Sequence, residues 1–241
     1  MADLAEYFIR GMRHWHSRKG FGYQTGHQIW CAVFAVTLLA GCAPALYSVD
    51  MKYVPTRIFP KTQGVTQPIA LTVAAFQDAR KIADNMLIGR VIKTNGEQIR
   101  VLPKFVKPSQ AVTEPIKEFF RQAGYRVAAE SPVWDLQEAG INKGWEPIII
   151  GGSIDELDVV CQNSLTVTKY QAKVKLTIYF ADTATGKIFH TLATDSSTSR
   201  DHVLFSEEML EQQINTALAG AIEKFFEGRD MANIINKRGN K

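Results

Sequence analysis

Cysteine, histidine and any strong excess of charge are scarce in this 241-residue chain, and each scarcity closes a class of explanation. Three cysteines are too few for a disulfide framework. Past residue 27 the only histidines are His190 and His202, with no paired spacing for a metal site. A formal charge of +4 is too small to argue for nucleic acid. No apolar run reaches the roughly 18 residues of a membrane-spanning helix. There are no repeats, no low-complexity tracts and no Gly-rich phosphate loop. What is present is an ordinary globular balance, 46% hydrophobic and 22% charged. At roughly 150 residues per domain, the length allows one domain, or at most two small ones.

One segment departs from that balance. Ile29 to Gly41, reading IWCAVFAVTLLAG, carries no charge. Its thirteen residues would make only about 20 Å of helix, short of a hydrocarbon core of roughly 30 Å. That length suits the apolar region of a secretory signal, and Arg10, Arg13, Arg18 and Lys19 supply the positive region ahead of it. The segment closes on Leu39-Ala40-Gly41-Cys42, which resembles the bacterial lipobox. Small residues before the cut fit a narrow protease site, and the Cys42 thiol then carries diacylglycerol, with an acyl chain on its amino group. The expected signal peptide is residues 1–41. Met12, followed by Arg13, is an alternative start. The expected mature chain, residues 42–241, keeps a net charge of +2. Two or three acyl chains anchor firmly where one binds marginally. By resemblance to proteobacterial lipoproteins, Ala43 is not the aspartate that retains such proteins in the inner membrane, so the expected location is the periplasmic face of the outer membrane.

Residues 42–67 carry Pro44, Pro55 and Pro60 without sustained periodicity and read as a lipidated Cys with a flexible tether. An edge strand near Met51 to Val54 is the alternative. Residues 68–228 read as one α+β domain with a mixed, mostly antiparallel sheet and two main helices on one face. Ile69 to Phe76 suits a buried strand, and residues 87–102 a hairpin about Asn95-Gly96. Val112, Ile116, Phe119, Phe120 and Ala123 are spaced for a helix from Ser109 to Ala123, with Gly124 as its cap. Pro115 conflicts with that start, so the helix begins at Thr113 or Glu114, or its first turn is kinked.

Tyr125 to Val127 enters a strand, and residues 131–146 form a loop or short helix. A strand from Pro147 passes Gly151-Gly152, where the glycines suggest a bulge or a close backbone approach. Tyr170 to Phe180 alternates with period two, so one face is buried and one wet. The chain turns at Asp182 to Gly186 and returns over Lys187 to Thr194. Leu210, Ile214, Ala217, Leu218, Ala221 and Phe225 stripe a last helix over Ser206 to Glu227. Residues 229–241 read as a basic, solvated tail.

This organisation resembles the YajG-type lipoproteins of Gram-negative bacteria. The likeness rests on the lipobox, IALTVAAFQDAR at 69–80, EPIKEFFRQAGYRV at 114–127 and KYQAKVKLTIYFADTATGKIFHTLATDS at 169–196. The loop at 132–146 departs from it. The resemblance implies an outer-membrane lipoprotein with a periplasmic α+β domain.

Residues that could do chemistry do not form a constellation. Gly151-Gly152-Ser153 lacks the G-x-S-x-G frame of a nucleophile elbow. Cys161 has no predictable base and reads as a buried or unpaired thiol. Strand alternation would split Asp155, Glu156 and Asp158 across two faces, and Glu207, Glu208 and Glu211 suit the positive end of a helix. Two features point to binding instead. Arg80, Lys81, Arg90, Lys93, Arg100, Lys104 and Lys107 could form a basic face toward anionic wall polymer, lipid headgroups or an acidic partner. Trp134 and Trp145 could mark an interface, or either could instead cap the core. The expectation is a non-enzymatic envelope protein without cofactor or metal, binding an outer-membrane or periplasmic component. The alternative is a module that grips peptidoglycan or another anionic glycan. A homo-oligomer stays open.

Overall fold

The computed structural model of the protein describes residues 45–57 and 68–226, together with residues 234, 235, 237 and 238. Its frame is a curled mixed sheet with two helices against one face. The strands are β1 (Leu46–Val49), β2 (Ala70–Val73), β3 (Gln77–Asp78), β4 (Gly89–Ile92), β5 (Gln98–Pro103), β6 (Arg126–Val127), β7 (Ile148–Asn163), β8 (Thr168–Asp182) and β9 (Lys187–His202). The helices are α1 (Pro108–Gln122) and α2 (Glu207–Glu223).

The long strand β7 organises the sheet. One edge pairs antiparallel with β8 along nearly its whole length, and β8 pairs antiparallel with β9. The other edge is shared by three short parallel partners: β2 at Ile148–Ile150, β3 at Ser153–Ile154 and β4 at Val159–Gln162. Beyond β2 lies β6, and beyond β4 lie β5 and then β1. The ladder slips between Ile154 and Glu156, leaving Asp155 as a bulge.

The period of two in β8 is realised as expected. Tyr170, Ala172, Val174, Leu176, Ile178 and Phe180 are all buried, against Leu210, Ile214, Ala217, Leu218, Ala221 and Phe225 of α2 and its extension. Val112, Ile116, Phe119 and Phe120 of α1 join the same core. Gly124 has φ +96° and closes α1: Tyr125 N–H donates to Phe120 O and Gly124 N–H to Arg121 O. These two bonds satisfy carbonyls that would otherwise be orphaned at the helix end. Gly96, at φ +83°, turns the β4–β5 hairpin as the Asn-Gly dipeptide predicts.

Four segments differ from the sequence reading. Helix α1 starts at Pro108 and continues through Pro115, whose missing donor is tolerated inside a helix packed by the buried side chains of Ala111, Val112, Ile116, Phe119 and Phe120. Strand β9 runs eight residues past Thr194, paired with β8 as far as Thr168–His202. Its residues 195–202 carry no apolar alternation, because small polar side chains face α2 there: Ser196 lies against Gly220, and the Thr198 hydroxyl donates to Gln213 O at 3.3 Å.

The third difference concerns the tether. Residues 46–49 form a strand beside β5, earlier than the Met51–Val54 alternative, and Met51 and Tyr53 are buried in the main core. Three side chains of α2 hold residues 50–56 by their backbone. Glu211 accepts from Asp50 N–H at 3.0 Å, Asn215 accepts from Lys52 N–H at 3.1 Å and donates to Asp50 O at 3.0 Å, and Glu223 accepts from Thr56 N–H at 2.7 Å. Burial and the Glu223 carboxylate push the Tyr53 phenol, which donates to Glu223 at 3.1 Å, to a raised pKa. Residues 58–67 lie outside the described residues.

Fourth, the C-terminal segment is not wholly solvated. Ile235 is buried in the core, and the Arg238 guanidinium lies 4.3 Å from the Phe189 ring centre and 3.6 Å from Asp182.

Candidate functional site

Leu39, Ala40, Gly41 and Cys42 lie outside the described residues. Among the described residues no helix is long and apolar enough to cross a membrane.

The basic stretch does not assemble as one cationic face. Arg80 is a correction: its side chain is only 4% exposed. It grips Asp78 in a two-pronged ion pair, with Nε and Nη2 at 2.8 and 2.6 Å, and donates to Leu87 O, Asn85 O and Leu157 O. It therefore staples β3 to the loop before β4 and to β7. Burial works to raise the Asp78 carboxyl pKa, but the Arg80 guanidinium outweighs burial and holds it below the usual carboxylate range.

Three of the six remaining cations are paired with carboxylates. Arg100 pairs with Asp84, Lys93 with Glu97 at 3.2 Å, and Arg90 with Asp158 at 3.8 Å. Lys81 is exposed, and Lys104 lies 5.7 Å from the centre of the Phe105 ring.

Trp134 is the second correction. It is 1% exposed, lies against Gly151 and Tyr179 on the sheet face opposite the helices, and donates from Nε1 to Gln137 O at 2.9 Å. A Cβ at Gly151 would come 2.5 Å from Trp134 Cε3, so this glycine exists for close approach. The segment 131–146 thus packs over the outer face. Leu136, Ile141 and Trp145 complete a small second core with Trp134, Ala74, Ile149 and Ala181. Trp145 remains half-buried, beside an open cleft of about 310 Å³ that Glu130, Pro132 and Glu146 also line.

That covering stops halfway along the long strands. Beyond the Asp155 bulge the outer face of β7–β9 forms an open groove of about 440 Å³. It is lined by Glu156, Asp158, Gln171, Lys173 and Ser197 among others. Glu156 lies 3.0 Å from Lys173 and 3.5 Å from Lys175. Burial pushes the Asp158 carboxyl pKa up, although Arg90 opposes it. Alternation resumes after the bulge and puts Glu156, Asp158 and Val160 on one side, with Arg90 opposite Val160 on β4. The sequence reading missed this groove because the bulge residue, Asp155, carries nothing to distinguish it from its acidic neighbours. The surface is polar, of mixed charge and concave, suited to hydrogen bonding and ion pairing across a contact.

The remaining candidates are tied into structure. Ser153 donates to Asp155 at 2.7 Å, and Thr177 donates to its other oxygen at 2.6 Å, so Asp155 pins the bulge. Cys161 is buried, and burial pushes its thiol up to about 11. The His190 ring lies 6.0 Å from Phe180, and Glu208 accepts from the helix-capping Ser206 hydroxyl. Among the described residues no group of three or more His, Cys, Asp or Glu side chains converges as a metal site would need.

No protein-family model and no curated protein matches the chain. Solved structures do match. A protein of the DUF330 family from Xanthomonas campestris has TM-score 0.49 at 11% identity, covering 80% of this chain and 99% of its own. A Helicobacter pylori protein named as a neuraminyllactose-binding hemagglutinin homolog has TM-score 0.41 at 11% identity, covering 75% and 96%. Lipoprotein GNA1162 from Neisseria meningitidis has TM-score 0.28 at 12% identity, covering 72% and 100%. At such scores and identities no residue is matched to a neighbour's residue, and no function is carried over.

Proposed function

We propose that the protein is a lipid-anchored component of the bacterial envelope, of YajG type, whose domain binds another envelope protein and performs no chemistry of its own. The observation that carries this reading is the lipobox Leu39-Ala40-Gly41-Cys42 behind a basic and then an apolar segment, four residues ahead of the strand that opens the folded domain. Cys42 is the lipid attachment point, and the outer membrane, periplasmic face, is the proposed location. The mixed-charge groove on the outer face of β7–β9 is the proposed contact surface. Its alternating cations and anions favour a protein partner with complementary charges over a uniformly anionic glycan. The pairing of Arg90, Lys93 and Arg100 with carboxylates weakens the case for a wall-polymer grip.

Crosslinking in intact cells followed by affinity purification tests this, comparing the native chain with Cys42→Ser. One protein recovered in near-equal amount, and lost with Cys42→Ser, is the expected result. A chain that recovers no protein, sediments with purified cell wall and releases with salt would replace the reading with glycan binding.

A further inference from the structure

We infer that the end of the sheet at which β1 begins inserts into the surface of the bilayer, so that the domain stands on the membrane in a fixed orientation. The inference rests on the anchor reading of Cys42. With residues 46–56 bound to β5 and α2, only Ala43, Pro44 and Ala45 separate Cys42 from Leu46, a reach of at most about 14 Å. A lipid on Cys42 therefore draws one end of the sheet to the membrane, where a tether ending at residue 67 would leave the domain free to tumble.

That end gathers several of the exposed apolar side chains. The β7–β8 turn presents Leu165 at 96% exposure, and the β9–α2 loop presents Val203 at 76% and Leu204 at 71%. Thr168 pairs with His202, so the turn and the loop adjoin. Tyr170 OH, near 3.3 Å from Leu204 O and 2.7 Å from Ser206 N, fixes the loop. The start of β1 lies beside this loop, because the Tyr47 ring contacts Phe205 with centres 4.9 Å apart, while Leu46, 54% exposed, faces the other side of the strand. Leu165, Val203 and Leu204 thus come from two adjoining connections at the end of the sheet where β1 begins. Phe105, equally exposed, lies at the opposite end of β5, and Val133, 85% exposed, lies in the segment over the outer face.

Lys169 and Arg200 flank the tip beside Asp201, Glu207 and Glu208, all exposed. This balance gives anionic lipid no advantage, and insertion proceeds by burial of the apolar side chains about 5–10 Å into the headgroup boundary.

The test uses the lipidated chain, its mature mass measured, reconstituted into phosphatidylcholine vesicles with brominated acyl chains. An environment-sensitive fluorophore is placed on Leu165→Cys or, as control, on Ala184→Cys in the exposed β8–β9 turn at the far end. Buried Cys161 stays unlabelled. The expected result is a blue shift and strong bromine quenching at 165, neither at 184, and no change on adding salt or anionic lipid. A vesicle-bound chain with 165 unquenched and solvent-like overturns the orientation while leaving the anchor intact. A blue-shifted but unquenched 165 also overturns it, since a protein surface then covers the tip. A mature mass lacking lipid, with the chain in the aqueous phase, overturns the anchor reading and this inference together.

Discussion

Arg80→Met separates a structural from a binding role for the most heavily committed cation in the chain. Replacing it removes the guanidinium paired with Asp78, whose side chain is 17% exposed, and leaves the carbonyls of Leu87, Leu157 and Asn85 without that donor. Breaking a buried ion pair by removing one partner costs about 3–5 kcal/mol, which for a domain of this size lowers Tm by about 6–20 °C. The adjacent exposed Lys81→Met should change stability by no more than about 0.5 kcal/mol.

The pH dependence gives a second signature of the same pair. Because Asp78 is held below its ordinary value, its contribution is present above the unfolded carboxyl pKa of about 3.9 and is lost as pH falls through the folded value. In Arg80→Met the carboxylate is buried without its cation, so the deficit should be largest near neutral pH and shrink in acid, where Asp78 is protonated. Thermal unfolding followed by circular dichroism between pH 3 and 7 reads both effects. A variant that melts with the native protein at pH 7 would refute the structural role and return Arg80 to the surface.

Three further outcomes follow from the packing. Glu223→Ala removes the acceptor for Thr56 N–H, Thr56 OH and Tyr53 OH, so hydrogen exchange at residues 50–56 should accelerate well beyond that in β8; unchanged protection would contradict docking of this segment. In Gly152→Ala the new methyl would overlap Thr177 O of the neighbouring strand and stand 2.5 Å from Phe76 Cε1, costing on the order of 1–3 kcal/mol or more by denaturant titration, because a backbone carbonyl cannot step aside. Cys161, buried with its thiol raised to about 11, should react with an aromatic disulfide reagent only at the rate of unfolding at pH 8, and immediate reaction would contradict its burial.

Elements whose pattern is local were legible in the chain. The alternation of Tyr170 to Phe180, the stripe of Leu210 to Phe225, the Asn95-Gly96 turn and the Gly124 cap each follow from side-chain period or backbone freedom within a few residues. What stayed hidden depends on partners far away in sequence. Met51 and Tyr53 look like part of a Pro-marked linker until Glu211, Asn215 and Glu223, more than 150 residues later, supply side-chain acceptors for the N–H groups of Asp50, Lys52 and Thr56 around them. Arg80 reads as one more surface cation because its carbonyl acceptors come from the loop before β4 and from β7, a strand more than 70 residues away. Trp134 could be read as interface or core; only Gly151, which leaves space above β7, decides for core. The groove lining Glu156 and Asp158 depends on the Asp155 bulge, a one-residue slip that inverts the parity of everything after it.

The anchor at Cys42 is the claim on which the rest depends, and intact mass of the chain purified from membranes tests it most directly. The account predicts a mature chain beginning at Cys42, heavier than the bare polypeptide by a diacylglyceryl group and one acyl chain, recovered with outer membranes, and unprocessed in Cys42→Ser. A chain still carrying residues 1–41, or one cut elsewhere and free of lipid, would contradict it.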